Sequence, residues 1–368
     1  MSSTARHTLA GRDYHSNDVY AVEQERIFFA TWMYAGRVDQ VAEPGQFFTV
    51  DIAGEGVIVT RSSEGGLRAF YNVCRHRGSV LCEEPRGQTK AVFQCPYHAW
   101  CYDLDGALVA TPRVGKDEVE RSELSLKPVH VDEWQGFVFV NLSRHQPEPL
   151  VPTLDAHYDS PLRFADFGLG VLRTGFRSES VVAANWKILV ENYDECLHCP
   201  IVHPELVEAI PAYKKGMVFD PDRADGGVAI VTGGNTYSND PRARRTLLPN
   251  MTEEQATSIY GAQVFPTMFL DIAGSNAVVT RLSPEGPRST RVFSEYLFMP
   301  EEIESPDFDP KPVVDFCELV AHQDYVVSER VQKGVESRSF THGVYPEKDE
   351  YVHQFNEYYR KVRGPLPD

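Results

Sequence analysis

Two stretches of this chain carry residue types that could hold a metal. The first is Cys74-Arg75-His76, followed 18 residues later by Cys95-Pro96-Tyr97-His98. Two thiolates and two imidazoles in C-x-H and C-x2-H blocks suit a closed tetrahedral zinc site. They also suit a two-iron, two-sulfur cluster with the cysteines on one iron and the histidines on the other. Spacing alone leaves both open. The second stretch is Asn185 to Leu206, NWKILVENYDECLHCPIVHPEL, which packs His198, His203, Cys196, Cys199 and four carboxylates into 22 positions. Two neutral imidazoles converging with a carboxylate leave an iron(II) ion with free positions for oxygen. With 12 histidines in the chain, an HxxxxH pair can equally be two unrelated residues.

The elements around these residues decide whether they can converge. Trp186, Leu189 and Val190 recur at helical spacing, which predicts a helix with one buried face. Pro200 lacks an amide donor and clashes with the carbonyl of Cys196, so the helix should kink or end there. On an unbroken helix His198 and His203 would point roughly 140° apart. From Gly36 to about Leu142 short β-rich runs (GQFFTVDI, GVIVTR, RAFYNV, GFVFVNL) alternate with turn residues, and these read as an all-β module. There C-x-H falls at a hairpin tip and the second block follows the strand KAVFQ. Two rigid loops can clamp a body larger than one ion, which favours the cluster over zinc.

Elsewhere Asn17–Trp32 reads as an amphipathic helix and HQPEPLVPTL as a linker. VLRTGFRSESVVAANW, FPTMFLDIAGSNAVVTRLSPEG and STRVFSEYLFMP read as strands, and Pro312–Glu336 as a closing helix. Cys82 and Cys101 are expected to be packing residues. Cys196 and Cys199 are expected to pack beside a ligand rather than form a redox pair.

Length and composition bound the function. A chain of 368 residues should hold about two domains. Apolar and charged fractions of 42% and 24% are those of an ordinary soluble protein. A net charge of −17 argues against nucleic acid and against an anionic membrane surface. The opening MSSTARHTLAGRDYHSND lacks the apolar core of a secretory signal, and no apolar run approaches a membrane span. Seven cysteines, several beside histidines, then read as metal ligation in a cytoplasmic protein rather than a disulfide framework. GLGVLRTG has the wrong spacing for a dinucleotide fingerprint, so no nicotinamide-binding domain is expected.

CRHRG followed by CPYHAWCYDLDG, with Gly78 and Trp100, resembles the Rieske iron–sulfur signature. With NWKxxxEN and two histidines downstream, the chain resembles the catalytic alpha subunit of Rieske non-heme iron oxygenases. The resemblance runs from FFATWMYAGRVDQVAEPGQF through EWQGFVFVNL to AHQDYVVSERVQKG. It implies an α+β fold: an all-β Rieske domain over residues 37–150 and a helix-grip (START-like) catalytic domain with an antiparallel sheet over 151–368. A helical arm, residues 1–36, would pack with the catalytic domain. It further implies a [2Fe–2S] cluster on Cys74, His76, Cys95 and His98, and a mononuclear Fe(II) on His198, His203 and Asp324, with O2 as co-substrate. Asp324 lies 121 residues beyond His203 on a predicted helix, with Glu318 and Glu329 as substitutes and His322 expected to be structural. Electrons would come from a separate flavin/iron–sulfur reductase using NAD(P)H.

Glu195 stands where many ring-hydroxylating relatives carry an aspartate. The resemblance implies that it links the catalytic site to a cluster histidine of the neighbouring subunit, in a head-to-tail homotrimer. A buried acid also needs a partner donor, which points the same way. Glu195 and the ECLHCPIVHPEL run resemble the members that oxidise choline, glycine betaine, carnitine and stachydrine. That implies a monooxygenase or N-demethylase acting on a small quaternary ammonium compound such as a betaine. The alternatives are an aromatic-ring hydroxylating dioxygenase of the same architecture, or a non-enzymatic module whose iron site has decayed. A quaternary ammonium needs aromatic faces around it, for which Tyr193, Tyr260, Phe265 and Phe269 are the candidate walls.

Overall fold

The computed structural model describes residues 6–115, 118–220, 223, 225–231, 234–238, 240 and 243–366, so the first five residues of the expected arm lie outside it. The chain divides into two compact units, one of residues 28–150 and the other of residues 1–27 with 151–368.

In the first unit, Val/Phe-rich strands alternate with Gly turns, and seven of them form one antiparallel sheet. Its order is Met33–Arg37, Phe137–Asn141, Pro128–Trp134, Leu67–Tyr71, Glu55–Arg61, Gln46–Ile52 and Arg86–Gln88. A smaller sheet joins Val92–Gln94, Cys101–Asp103 and Leu108–Ala110. Phe47, Ile58, Phe70, Phe93, Trp100 and Tyr102 fill the core beneath it, so the loops bearing Cys74 and Cys95 stand on packed aromatic side chains.

The second unit has a six-stranded antiparallel sheet in the order Arg173–Val182, Ser289–Phe298, Asn276–Gly286, Met268–Ile272, Ser258–Val264 and Val228–Ala229. The expected closing helix is present as Lys311–Val335, but it does not close the fold. A further helix, Glu350–Arg363, follows it, and Phe355 and Tyr359 are buried to the last atom. The Asn17–Trp32 pattern becomes an α-helix over Asn17–Glu23 that loosens into a π-helical turn over Gln24–Phe28. The expected linker is helical over Leu150–Asp155, with Pro152 in the first turn, where its missing amide costs no hydrogen bond.

The helix Trp186–Tyr193 is fixed by an ion pair that sees no solvent. Lys187 Nζ lies 2.5 Å from Glu23 Oε1, and both side chains have zero exposure. Trp186 Nε1 donates to Glu23 Oε2 at 3.0 Å and the Tyr359 hydroxyl to Oε1 at 2.6 Å. The ammonium also sits 5.1 and 5.2 Å from the ring centroids of Trp186 and Tyr359. This ties the N-terminal arm, the central helix and the last helix at one point. Removing one partner of such a pair leaves a bare buried charge, so Glu23→Ala should cost about 3–5 kcal/mol in urea unfolding. Stability within 1 kcal/mol of wild type, as order of magnitude, would show the pair to be dispensable.

One turn along, Glu191 accepts from the Tyr14 hydroxyl at 2.7 Å and from Asn356 Nδ2 at 2.8 Å. Burial nevertheless drives its carboxyl up from 4.5 to about 7. The native state therefore holds a proton that the unfolded chain has lost, so this group's contribution is complete below the lower value and gone above the higher one. Glu191→Gln keeps an acceptor without the ionisation. Its unfolding free energy relative to wild type should rise between pH 5 and pH 8, by on the order of 3 kcal/mol in urea unfolding. A pH-independent difference would contradict that assignment.

Candidate functional site

The central helix starts on an Asn185 cap whose side chain accepts from the Lys187 amide, and it ends at Tyr193. Pro200 is not the break that its sequence position suggested. It lies in the first turn of a new short helix, Cys199–Val202, and Pro204 likewise opens Pro204–Ala209. The chain leaves helix earlier, over Asp194–Leu197, where the Glu195 carboxylate receives the amides of Leu197 and His198. That turn and the bend at His203 aim both imidazoles at one point.

His198 Nε2 lies 3.2 Å from His203 Nε2, and Asp324 Oδ1 lies 2.8 Å from His203 Nε2 and 3.3 Å from His198 Nε2. Each imidazole is oriented from behind. His198 Nδ1 donates to Glu195 Oε1 at 2.5 Å, and His203 Nδ1 to Gln323 Oε1 at 2.7 Å, so both present Nε2 forward. A metal with bonds of about 2.1 Å at right angles holds its donors about 3 Å apart, so this donor set fits a facial triad. Burial opposes charge on His198, but Asp324 and Glu195 outweigh it and lift the imidazole to about 9. Burial works to raise the Asp324 carboxyl, and the two histidines pull it below its ordinary value. The substitutes are engaged elsewhere. Glu318 accepts from Ser178 and Tyr296 hydroxyls, each at 2.5 Å, Glu329 accepts from the Ala183 amide, and His322 is exposed.

Two expectations need correction. Cys196 and Cys199 are joined by a disulfide rather than packing as thiols, so Cys199 Sγ, 3.8 Å from His198 Nε2, is not a free thiolate ligand. Glu195 is only half-buried and takes its donors from its own loop. Its burial therefore gives no reason to seek a donor on another subunit.

The three donors open into a cavity of about 230 Å³. One face of the sheet forms its floor: Phe269 and Asp271, then Val278, Thr280 and Leu282, then Val292, Ser294 and Tyr296, each two residues apart along its strand. Tyr193 stacks on Phe269, with centroids 4.1 Å apart and planes 2° from parallel. The same alternation removes Tyr260 from the wall, because its neighbour Gly261 faces the cavity. Tyr260 turns the other way, donates to Asp225 at 3.0 Å and packs on Phe164 and Phe167. Phe265 is buried among Trp186, Phe355 and Tyr358 and does not line the cavity either. Asp271 and Gln323 were missed. The signal for Asp271 was a single charge two residues from Phe269 in an otherwise apolar strand, MFLDI. Gln323 had none beyond its place beside Asp324.

The cysteine–histidine loops are two copies of one turn. The Gly78 amide donates to the Cys74 carbonyl and the Cys74 amide to that of Ser79, while Ala99, Cys95 and Trp100 repeat the pattern. Both turns need a left-handed residue, supplied by Gly78 at φ +73° and Ala99 at φ +59°. The sulfurs point inward and His76 faces solvent. Tyr102 accepts the Arg75 amide at 2.9 Å and places its hydroxyl 3.3 Å from Cys74 Sγ. His76 stacks on Trp100 at 4.5 Å. His98 Nδ1 is buried with no hydrogen-bond partner, an orphan that ligation would satisfy. Burial drives the Cys82 thiol up to about 12, and Cys82 packs against the core of aromatic side chains.

Residues 31–131 match the Rieske [2Fe-2S] domain family. Residues 154–364, more than half of the chain, match the ring hydroxylating alpha subunit (catalytic domain) family. The chain belongs to the ring-hydroxylating alpha subunits. It is thus a Rieske non-heme iron oxygenase, an oxidoreductase with a [2Fe–2S] cluster, a mononuclear iron and O2 as co-substrate, and the decayed-site alternative falls away. It is 29% identical to the glycine betaine monooxygenase oxygenase subunit of Chromohalobacter salexigens, covering 96% of this chain and 85% of that one. It is also 29% identical to the carnitine monooxygenase oxygenase subunit of Acinetobacter pittii, covering 89% and 85%. Among solved structures, the quaternary ammonium Rieske monooxygenase CntA in complex with L-carnitine superposes with a TM-score of 0.78 at 23% identity, covering 98% of this chain and 96% of that one. Naphthalene 1,2-dioxygenase with bound indole superposes with a TM-score of 0.75 at 20% identity, covering 97% and 92%. Both share the expected α+β fold, a Rieske domain with a catalytic domain of helices on an antiparallel sheet. No helix among the described residues is long and apolar enough to cross a membrane.

Proposed function

We propose that this alpha subunit oxidises an N-methyl group of a small quaternary ammonium compound, betaines among them, with electrons from a separate reductase. The observation that carries this is the cavity: stacked aromatic rings and a carboxylate with no ion pair among the described residues line it together with His198, His203 and Asp324. A trimethylammonium has no N–H to donate, so its recognition rests on ring faces and charge. The names of the betaine, carnitine and choline relatives point to the same class.

In this reading Cys74, His76, Cys95 and His98 hold the cluster, and His198, His203 and Asp324 hold the iron. The bound metals supply one-electron transfer and the reduction of O2. The chain's own work is positional. Glu195 and Gln323 hold each imidazole on its Nδ1 side, and the sheet floor and ring wall keep water from the reacting carbon. Two electrons, two protons and O2 convert the N-methyl to N-hydroxymethyl and one water. The N–C bond then breaks, the nitrogen keeps the pair, and formaldehyde, a proton and the demethylated amine leave. By resemblance, Glu195 would meet the cluster histidine of a neighbouring subunit in a homotrimer.

With a surrogate reductase, one formaldehyde should appear per amine demethylated across a panel of betaine, carnitine and choline. Cis-diol formation from an aromatic acid, with no turnover of the panel, would move the protein to ring hydroxylation. Ala at His198, His203 or Asp324 should lower iron from about three per chain to about two, with the Rieske visible spectrum intact. An iron-replete, active Asp324→Ala variant would mean another carboxylate is the ligand. The loaded wild type should sediment as three chains, and a fully active monomer would exclude electron transfer between subunits.

A further inference from the structure

Five carboxylates line the cavity, and three of them have a basic partner there. Asp324 meets the two histidines and Glu195 meets His198. Asp159 pairs with Arg163 at 2.6 Å, and Asp194 receives the Tyr158 hydroxyl at 2.9 Å with its carboxyl pushed well up by burial. The fifth, Asp271, is like Asp194 held only by a tyrosine hydroxyl, but that tyrosine belongs to the stacked ring pair. Its one hydrogen bond among the described residues comes from the Tyr193 hydroxyl at 3.0 Å, and it has no ion pair there. Arg163, the one Lys or Arg lining the cavity among those residues, does not neutralise it. That guanidinium is spent on Asp159, the carbonyls of Ser160 and Gly261, and the Phe164 ring at 4.4 Å. Phe269 lies on the same sheet face two residues away, and the ring that stacks on it belongs to the tyrosine that bonds Asp271.

We propose that Asp271 is the counter-ion for the substrate's cationic nitrogen and so sets the charge that the cavity accepts. This rests on the quaternary-ammonium reading above and adds the residue that makes charge, and not only shape, decide. Aromatic faces alone hold a methylated cation and its uncharged carbon isostere with modest discrimination. A buried carboxylate without an ion pair separates them further, because only the cation replaces the solvation that the carboxylate lost. Burial raises the Asp271 carboxyl to about 7 while the Tyr193 hydroxyl draws it down, so the empty cavity keeps it only partly ionised and a bound cation favours the charged form.

The test is equilibrium binding to the iron- and cluster-loaded protein, by calorimetry at pH 8, of tetramethylammonium, choline and the neutral choline isostere 3,3-dimethylbutan-1-ol. Wild type should prefer choline over the isostere by more than roughly tenfold. In Asp271→Asn, which can still accept from Tyr193, choline and tetramethylammonium should weaken roughly tenfold while the isostere is unchanged or tighter. Asp271→Ser, which removes the charge without overfilling the site, should give the same pattern should the amide disturb folding. Equal affinity of wild type for choline and the isostere, or an unaltered preference in the folded variants, overturns the assignment. The formaldehyde panel fails or succeeds independently. Turnover with no Asp271 effect leaves the reaction reading standing without this counter-ion, and Asp271-dependent cation binding without turnover leaves the counter-ion without the reaction.

Discussion

The catalytic unit depends on an ion pair that water never reaches. Glu23 and Lys187 stand 164 residues apart in sequence, and each is costly to bury alone. Together with Trp186 and Tyr359 they satisfy one another, and this is possible only when the arm, the central helix and the last helix are all in place. The helix so fixed delivers Tyr193 to the cavity and starts the turn that carries Glu195 and His198. A specific polar lock, and not the apolar core alone, therefore sets where the metal donors begin.

The acids of the cavity show how one cavity can hold several carboxylates without flying apart. Three have a basic partner, namely two histidines, one histidine or a guanidinium, and Asp194 and Asp271 each accept a tyrosine hydroxyl. Burial raises the Asp194 and Asp271 carboxyls, whereas the two histidines hold that of Asp324 below its ordinary value. A chain of net charge −17 thus keeps most of its acids on the surface and those in the cavity in separate, locally balanced environments.

Both candidate metal centres use one construction principle, which is to let short loops aim the ligands and to fix those loops by their own backbone. In the Rieske unit two matching turns rest on Gly78 and Ala99 in the left-handed region, with Tyr102 beneath the first. In the catalytic unit the Glu195 carboxylate caps the loop and orients His198 at the same time, so one side chain serves both fold and site.

Much of this was legible in the chain because the signals are local. The C-x-H and C-x2-H blocks, the alternating strands of residues 37–150 and the periodicity of Lys311–Val335 depend on neighbours within a few residues. What was misread depends on partners far away. Pro200 was taken to break a helix that had already ended at Tyr193, because a proline in a first turn and a proline at a kink differ only in what precedes them. Tyr260 faces away because strand register, set by pairing with Met268–Ile272, decides which alternate residues meet the cavity, and Phe265 lies in the turn between those two strands. The Cys196–Cys199 bond and the donors of Glu195 depend on the path of a loop with no periodic pattern. By itself the sequence determined which residue types could hold a metal and the order of the elements. Only the tertiary structure could bring Asp324 to His203 across 121 residues and leave Asp271 without a cation, since burial and pairing are properties of the packed chain.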